Sequence, residues 1–392
     1  YKNKISKNSI EDLIKVIKKI KKKNLPTNIE IDNQSNKIGK NYIGPKHKTM
    51  FIAEIGSNFD GNLKKAKDLI YAAKESGADV AKFQHYTADS LVSDIGFKQF
   101  KTSISHQKKW KGSVYDTYKK ASLNKEWTKE LYETCKKAKI LFMTSAYSIE
   151  LVDYVSRYQS AYKIGSGDIT WHDELIHIAK KKKPILLATG ASTLKEVMAA
   201  VKQISRYNKN LVLMQCNTNY TNTIQNLKYL NLSTIRNFQS IFPNIVTGLS
   251  DHTQNDDAVL AAVALGASVI ERHFTDSTKN VGPDHPFSTD IKAFKKLVNR
   301  VRDLESMLGD GIKRIEKNEK ETVIVQRRSL FAKKNIKKGK KIKKSDVIPL
   351  RPCISSAIPA DLIKDIIGRK SNIDIPKGNI LRKKFFLKKN EL

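Results

Sequence analysis

The chain has 392 residues, with 73 Lys and Arg against 39 Asp and Glu, a formal net charge of +34 and 40% hydrophobic residues. That length excludes a single small module and favours two domains or one large barrel with an appendage, while no apolar run approaches the roughly 20 residues that cross a bilayer as a helix. The excess charge is Lys rather than Arg and is scattered among Asn and Ile, so it reads as a compositional bias giving an electropositive surface suited to anionic substrates, not as a nucleic-acid-binding face.

Residues 1–36 form a basic extension. Within it Ile10, Leu13, Ile14, Ile17 and Ile20 recur at helical spacing after the N-cap candidate Ser9, which predicts an amphipathic helix for a surface or partner contact. Its apolar face lacks the Trp or Phe of a membrane-surface helix, so no membrane partner is expected. The opening residues carry no apolar signal core or small-residue cleavage site, and the expectation is a cytoplasmic chain. Thr27 to Lys48 reads as linker with a short hairpin.

From Met50 onward short apolar runs alternate with longer amphipathic ones. The predicted strands are Met50 to Ile55, Asp79 to Gln84, Leu141 to Ser145, Ala161 to Ile164, Pro184 to Thr189, Leu211 to Gln215, Ile245 to Leu249 and Val269 to Phe274. Between them fall helices at Asn62 to Ser76, Asn124 to Lys139, Ser148 to Tyr158, His172 to Lys181, Thr193 to Tyr207, Leu232 to Phe242 and Asp256 to Leu265, closed by Thr289 to Leu308. Strict alternation implies a parallel sheet, and eight units over roughly 260 residues is the size of a TIM (β/α)8 barrel; a doubly wound open sheet is the rival. The barrel is assigned to residues 37–309, a charged linker to 310–327, and a small β-rich domain to 328–392, where short strands are broken at Lys338-Gly339, Ile358-Pro359 and Pro376-Lys377-Gly378. Cys135, Cys216 and Cys353 are odd in number and far apart, which predicts reduced thiols rather than a disulfide framework.

Barrel active sites lie at the C-terminal ends of the strands. Those ends supply Glu54, Lys82, Gln84, Thr144, Ser145, Lys163, Ser166, Thr189, Gln215, Ser250, His252, Glu271 and His273. A lone strand-end His is usually a hydrogen-bonded structural residue, but His252 and His273 end adjacent predicted strands, about 5 Å apart, and so predict one metal site. His85 and His285 are loop candidates for substrate contact, and His172 and His177 read as surface residues. Lys82 and Lys163 inside parallel strands must lose hydration, so each needs an anion or a catalytic task, the alternative being a side chain that snorkels to the rim. With Ser145, Ser166 and Ser250 they suit a phosphate and a carboxylate together.

At these residues the chain resembles the N-acetylneuraminate (sialic acid) synthase family, through Ala53-Glu54-Ile55-Gly56, Lys82-Phe83-Gln84, Tyr162-Lys163-Ile164-Gly165-Ser166-Gly167, Gly248-Leu249-Ser250-Asp251-His252-Thr253, Glu271-Arg272-His273-Phe274-Thr275 and Gly282-Pro283-Asp284-His285. The tail segments Arg327-Arg328-Ser329-Leu330, Ile336-Lys337-Lys338-Gly339 and Leu350-Arg351-Pro352 resemble the antifreeze-like (SAF, β-clip) domain that ends such synthases. The resemblance implies a metal-dependent transferase that condenses phosphoenolpyruvate with an open-chain 2-acetamido hexose, N-acetylmannosamine-like, to a nonulosonic (sialic) acid and phosphate. Legionaminate or pseudaminate specificity is the alternative. By the same resemblance Glu54, Lys82 and Lys163 are catalytic, while Ser145, Ser166 and Ser250 join the lysines on phosphoenolpyruvate. Gln84, Tyr220 and Asp284 contact the amino sugar, and Arg351 reaches across a domain-swapped homodimer. His252 and His273 hold a divalent cation, manganese first, with magnesium or cobalt as substitutes. The chain departs from the family at Phe59, where a His is usual, at Thr218 and Thr221 near the sugar pocket, and at Cys353, where Gly is usual. A Schiff-base aldolase using Lys82 or Lys163 as nucleophile and a non-catalytic binder using the basic surface are the rival readings.

Overall fold

The computed structural model describes residues 36–100, 107, 110, 112–220 and 224–386; the amphipathic helix expected near Ser9 lies outside them. Two compact units divide the chain, Tyr1–Leu308 and Gly309–Leu392.

In the first unit an antiparallel hairpin, β1 (Asn36–Ile38) and β2 (Asn41–Ile43), precedes eight parallel strands. These are β3 (Met50–Glu54), β4 (Val80–His85), β5 (Leu141–Ala146), β6 (Tyr162–Ile164), β7 (Ile185–Ala188), β8 (Leu211–Cys216), β9 (Val246–Asp251) and β10 (Val269–Thr275). All eight coincide with the predicted strands within two residues. Their ladder runs β5-β4-β3-β10-β9-β8-β7-β6, and the contact of β5 with β6 brings the ring to near closure. No ladder joins those last two strands. There the buried Gln159 side chain substitutes for a strand, its Oε1 accepting from the Thr144 N–H at 3.0 Å and its Nε2 donating to the Thr144 carbonyl at 2.6 Å. A buried backbone edge left bare would cost the desolvation of both groups.

Side chains alternate across each strand, so one set points into the ring and the next into the helices. The inward set forms an apolar layer of Ile52, Val80, Met143, Leu186, Val212 and Val269, joined by Ile38 and Ile43 of the hairpin, which stopper the N-terminal end. Asn36 ties that stopper to the barrel by donating to the Leu211 carbonyl at 3.0 Å. The outward set, with Phe51, Phe83, Phe142 and Ile270, packs on helical residues such as Leu69, Leu131, Phe294 and Leu297. One close approach requires glycine: a Cβ on Gly248 in β9 would lie 2.7 Å from the Val269 carbonyl oxygen of β10.

Helix starts follow capping chemistry. Asn62 accepts from the Lys65 N–H at the head of Leu63–Glu75, and Thr193 and Glu196 form a reciprocal capping box on Leu194–Ser205. Two features were not predicted. Between β4 and the helix Thr128–Ala138 the chain makes an excursion with helices Ala88–Leu91, Asp94–Lys98 and Val114–Ala121. After β10, Thr289–Asp290 adds a short parallel strand β11 before the helix Ile291–Leu308.

The second unit is a small β-rich body around Leu330, Ile336, Ile342, Val347, Ile358, Ile375 and Leu381. Strands β12 (Ser329–Ala332) and β13 (Val347–Leu350) pair antiparallel, and isolated bridges such as Ile336 to Ile375 and Ala357 to Arg382 fasten its loops. The helical turn expected at Ala360 to Ile367 is present as Ala360–Leu362 followed by Ile363–Ile366.

Candidate active site

Above the apolar layer the inward positions turn charged. Glu54, Lys82, Lys163 and Glu271 are buried in one ring at the C-terminal ends of β3, β4, β6 and β10. Lys82 ion-pairs with Glu54, donates to Ser145 Oγ at 3.3 Å and lies 3.7 Å from Glu271 Oε2. Lys163 sits 3.0 Å from Glu271 Oε1, which also accepts from the Ser250 hydroxyl at 3.2 Å. Gln84 Nε2 donates to Glu54 Oε1 at 2.7 Å. The two carboxyls share a principle but not an outcome. Burial opposes charge on Glu271, yet the Lys163 and Lys82 ammonium groups on either side overcome it and hold its carboxyl below the usual range. Burial also pushes the Glu54 carboxyl up; Lys82 opposes that shift and the Glu271 charge adds to it. Of the two carboxyls, Glu54 is therefore the one that holds a proton more readily.

Next to this ring stand the two histidines. The His252 and His273 ring centroids are 5.5 Å apart. His252 Nδ1 lies 2.9 Å from the Asn217 carbonyl and therefore carries the proton, leaving its Nε2 lone pair for a ligand. His273 Nδ1 is buried with no hydrogen-bond partner, 3.8 Å from Asp284 Oδ2, and burial first, then His252 and Lys82, keep the ring neutral. A neutral imidazole with an unused buried nitrogen beside a second one suits a divalent cation. Among the described residues no set of three His, Cys, Asp or Glu side chains converges as a closed cage, so the pair would leave positions for substrate oxygens. The strands beneath are locked from outside: Arg272, 1% exposed, donates to Asp251 Oδ2 through Nε at 3.1 Å and Nη2 at 2.5 Å, joining β10 to β9.

Asp284 is fixed by Ser57, whose N–H and hydroxyl donate to its Oδ2 at 3.0 and 2.9 Å. This approach explains Gly56, which has φ of +52° and whose Cβ would lie 2.5 Å from the same oxygen. Tyr220 packs on His252 and Phe287 on His273, with centroids 4.3 and 4.8 Å apart. A cavity of about 260 Å³ opens over these groups, lined at its inner end by Gln84, Ser166, Tyr220, His273 and Asp284. Ser166 Oγ is oriented by accepting from the Gly190 N–H at 2.9 Å.

The structure thus gathers Glu54, Lys82, Gln84, Ser145, Lys163, Ser166, Tyr220, Ser250, His252, His273 and Asp284 at one barrel mouth; Arg351 belongs to the second unit. Two expectations are corrected. His85 is not a substrate contact: it is buried, bonded to the Thr144 and Thr128 hydroxyls at 2.8 and 2.7 Å, and burial drives its pKa down to about 4. His285 is likewise structural, between Thr275 Oγ1 at 2.7 Å and Asp60 Oδ1 at 3.0 Å. Phe59, where the family carries a His, is a core residue edge-on to Trp127. Sequence reasoning gave Glu271 no role, although its position two residues before His273 in one strand already placed both on the same face. It also passed over Asp168, which lines the cavity and whose pKa burial raises to about 6, Lys163 opposing.

Residues 69–313 match the NeuB family and residues 327–387 the SAF domain. The chain is 35% identical to the N,N'-diacetyllegionaminic acid synthase of Legionella pneumophila over 87% of this chain and 96% of that one. It is 36% identical to a pseudaminic acid synthase of Campylobacter jejuni over 86% and 96% respectively. Among solved structures, the N-acetylneuraminic acid synthetase of Leptospira borgpetersenii superposes with a TM-score of 0.65 at 26% identity, over 74% of this chain and 95% of that one. A parallel barrel with a charged ring beside paired histidines, matched over most of its length to legionaminic and pseudaminic acid synthases, therefore belongs to the NeuB (sialic acid synthase) family and is followed in the chain by a SAF domain.

Proposed function

We propose that the protein condenses phosphoenolpyruvate with the open-chain aldehyde of a 2-acetamido hexose, giving a nonulosonic acid and phosphate. The observation that carries this is the ring of Lys82 and Lys163 around Glu271, beside the paired imidazoles of His252 and His273. Glu271 answers both ammonium groups in the protein alone; an incoming phosphate and carboxylate would share those cations, with the Ser145, Ser166 and Ser250 hydroxyls as donors. Carbon 3 of the enol then attacks the aldehyde carbon, a water oxygen adds at carbon 2, and phosphate leaves with C–O cleavage. Glu54, held by Lys82 and Gln84, is the group able to give or take a proton there, while Gln84, Tyr220 and Asp284 orient the sugar. His252 and His273 would hold a divalent cation, manganese first among them. Lewis acidity toward the aldehyde oxygen is the chemistry such an ion supplies when bound. Arg351 serving a partner's site in a domain-swapped homodimer remains part of the proposal on the strength of the family resemblance.

The test is phosphate release from phosphoenolpyruvate with manganese and a panel of 2-acetamido sugars, followed by mass spectrometry of the product. Chelator should stop turnover, and His273→Ala should abolish it while the circular dichroism spectrum is retained; a fully active His273→Ala enzyme would falsify the metal assignment. Borohydride trapping of a substrate adduct on Lys82 or Lys163 would instead select the Schiff-base aldolase.

A further inference from the structure

The helices on either side of β8 do not close over it. Leu194–Ser205 packs along His172–Lys180 but stands off from Thr234–Ile241. Between them lies a groove of about 590 Å³, floored by Gln215 and Cys216 at the end of β8 and sided by Val197 and Phe238. It shares no lining residue with the cavity over the barrel mouth. Its rim is apolar and uncovered: Leu194 is 47% exposed, Ile241 40% and Tyr229 61%, and Met198, one turn beyond Leu194 on the same helix face, is 49% exposed. Among the described residues no charged side chain lines this groove, in a chain with 73 Lys and Arg. Large apolar side chains grouped in this way mark a contact site rather than ordinary surface.

The place where the chain enters the barrel points to the occupant. Asn36 donates to the carbonyl of Leu211, the first residue of β8, so residues 1–35 join the barrel at the foot of the strand that floors this groove. Within them Ile10, Leu13, Ile14, Ile17 and Ile20 share one face at helical spacing, Lys15, Lys18, Lys19, Lys22 and Lys23 fall off it, and Asn24 and Pro26 are stop signals. As a helix the stripe from Ile10 to Ile20 is about 15 Å long, against about 18 Å for Leu194–Ser205. Residues 25–35, extended, span about 36 Å, more than the roughly 20 Å that β8 climbs. Such a stripe gains most of its stability by packing against a surface, and a groove without charges takes it in while the lysines stay in water. We propose that residues 9–23 of this same chain lie along the groove between Leu194–Ser205 and Thr234–Ile241, with the isoleucines against Leu194, Val197, Phe238 and Ile241.

The test uses the full chain and hydrogen exchange read by mass spectrometry. Amides of residues 13–20 should exchange at least about tenfold more slowly in the parent than in the double variant Leu194→Asp, Ile241→Ser, and at the same rate over a wide range of protein concentration. Both altered side chains are well exposed, and Asp at the first position of Leu194–Ser205 suits the helix dipole, so the barrel should keep its own protection and melting temperature. From the groove side, Leu194→Cys should react with iodoacetamide, as followed by peptide mapping, about tenfold faster once Ile14→Asp and Ile17→Asp spoil the stripe. Exchange at free-peptide rates in the parent overturns the proposal, as does protection that is unchanged in the groove variant. Protection that fades on dilution also overturns it and assigns the groove to a second copy. A Leu194→Cys reaction rate indifferent to the changes at Ile14 and Ile17 leaves the groove uncovered and overturns it as well.

Discussion

Glu174 and Glu271 are both buried glutamates, and their surroundings set them apart. Glu271 lies between two ammonium groups. Glu174, in the first turn of the helix His172–Lys180 and 1% exposed, has an Oε1 with no hydrogen-bond partner, and burial, with the Asp168 charge adding, pushes its pKa up to about 8. A carboxyl whose folded pKa exceeds its unfolded one binds the proton more tightly in the native state. Stability is then highest below the unfolded value near 4.5 and declines as pH rises toward about 8. Glu174→Gln should flatten that decline and raise stability at pH 8 by on the order of 2 kcal/mol, read as Tm against pH. A variant no more stable than the parent at high pH would show that Glu174 finds a partner or water in solution. At this scale much of the site was legible, because Lys82, Lys163, His252 and His273 interrupt apolar strand runs and an ionisable group there needs a reason. Roles set by neighbours were not: nothing in the residues around Glu271 or Asp168 says which charges will face them.

Strands and barrel helices were legible as elements because each presents several turns or pleats of apolar periodicity to a core. The excursion Ala88–Ala121 was not, since its helices span four to eight residues, too few for a helical period to stand out. Yet it lines the cavity over the barrel mouth through Leu91, Trp110, Tyr118 and Ala121. The seam between β5 and β6 was equally hidden, because its repair depends on one amide from the loop after the helix Ile149–Val155. Gln159→Leu keeps the side chain's bulk and removes both bonds, leaving the Thr144 N–H and carbonyl buried. The variant should lose about 2–4 kcal/mol of stability by denaturant titration, the cost of two unsatisfied backbone groups. A loss under about 0.5 kcal/mol would mean the seam closes by other means.

At the scale of the molecule, 73 basic against 39 acidic residues set the field that the proposed anionic substrate would cross. If that field steers phosphoenolpyruvate, raising NaCl from about 0.05 to 0.3 M should increase its KM several-fold while leaving kcat nearly constant, as the screening length shortens from over 10 Å to about 6 Å. A KM indifferent to salt would confine the electrostatics to Lys82 and Lys163. No helix among the described residues is long and apolar enough to cross a membrane.

The hairpin at Ile38 and Ile43 closes the barrel's N-terminal end, and this has a bearing on traffic. A vessel corked at its base has one doorway. Under the proposed condensation the charged ring would take its anion beneath the cavity offered to the sugar, so the anion would have to be loaded first, and a sugar seated early would bar its way. In that reaction released phosphate would retreat past the newly joined product, which would make unloading the last obstacle of each cycle.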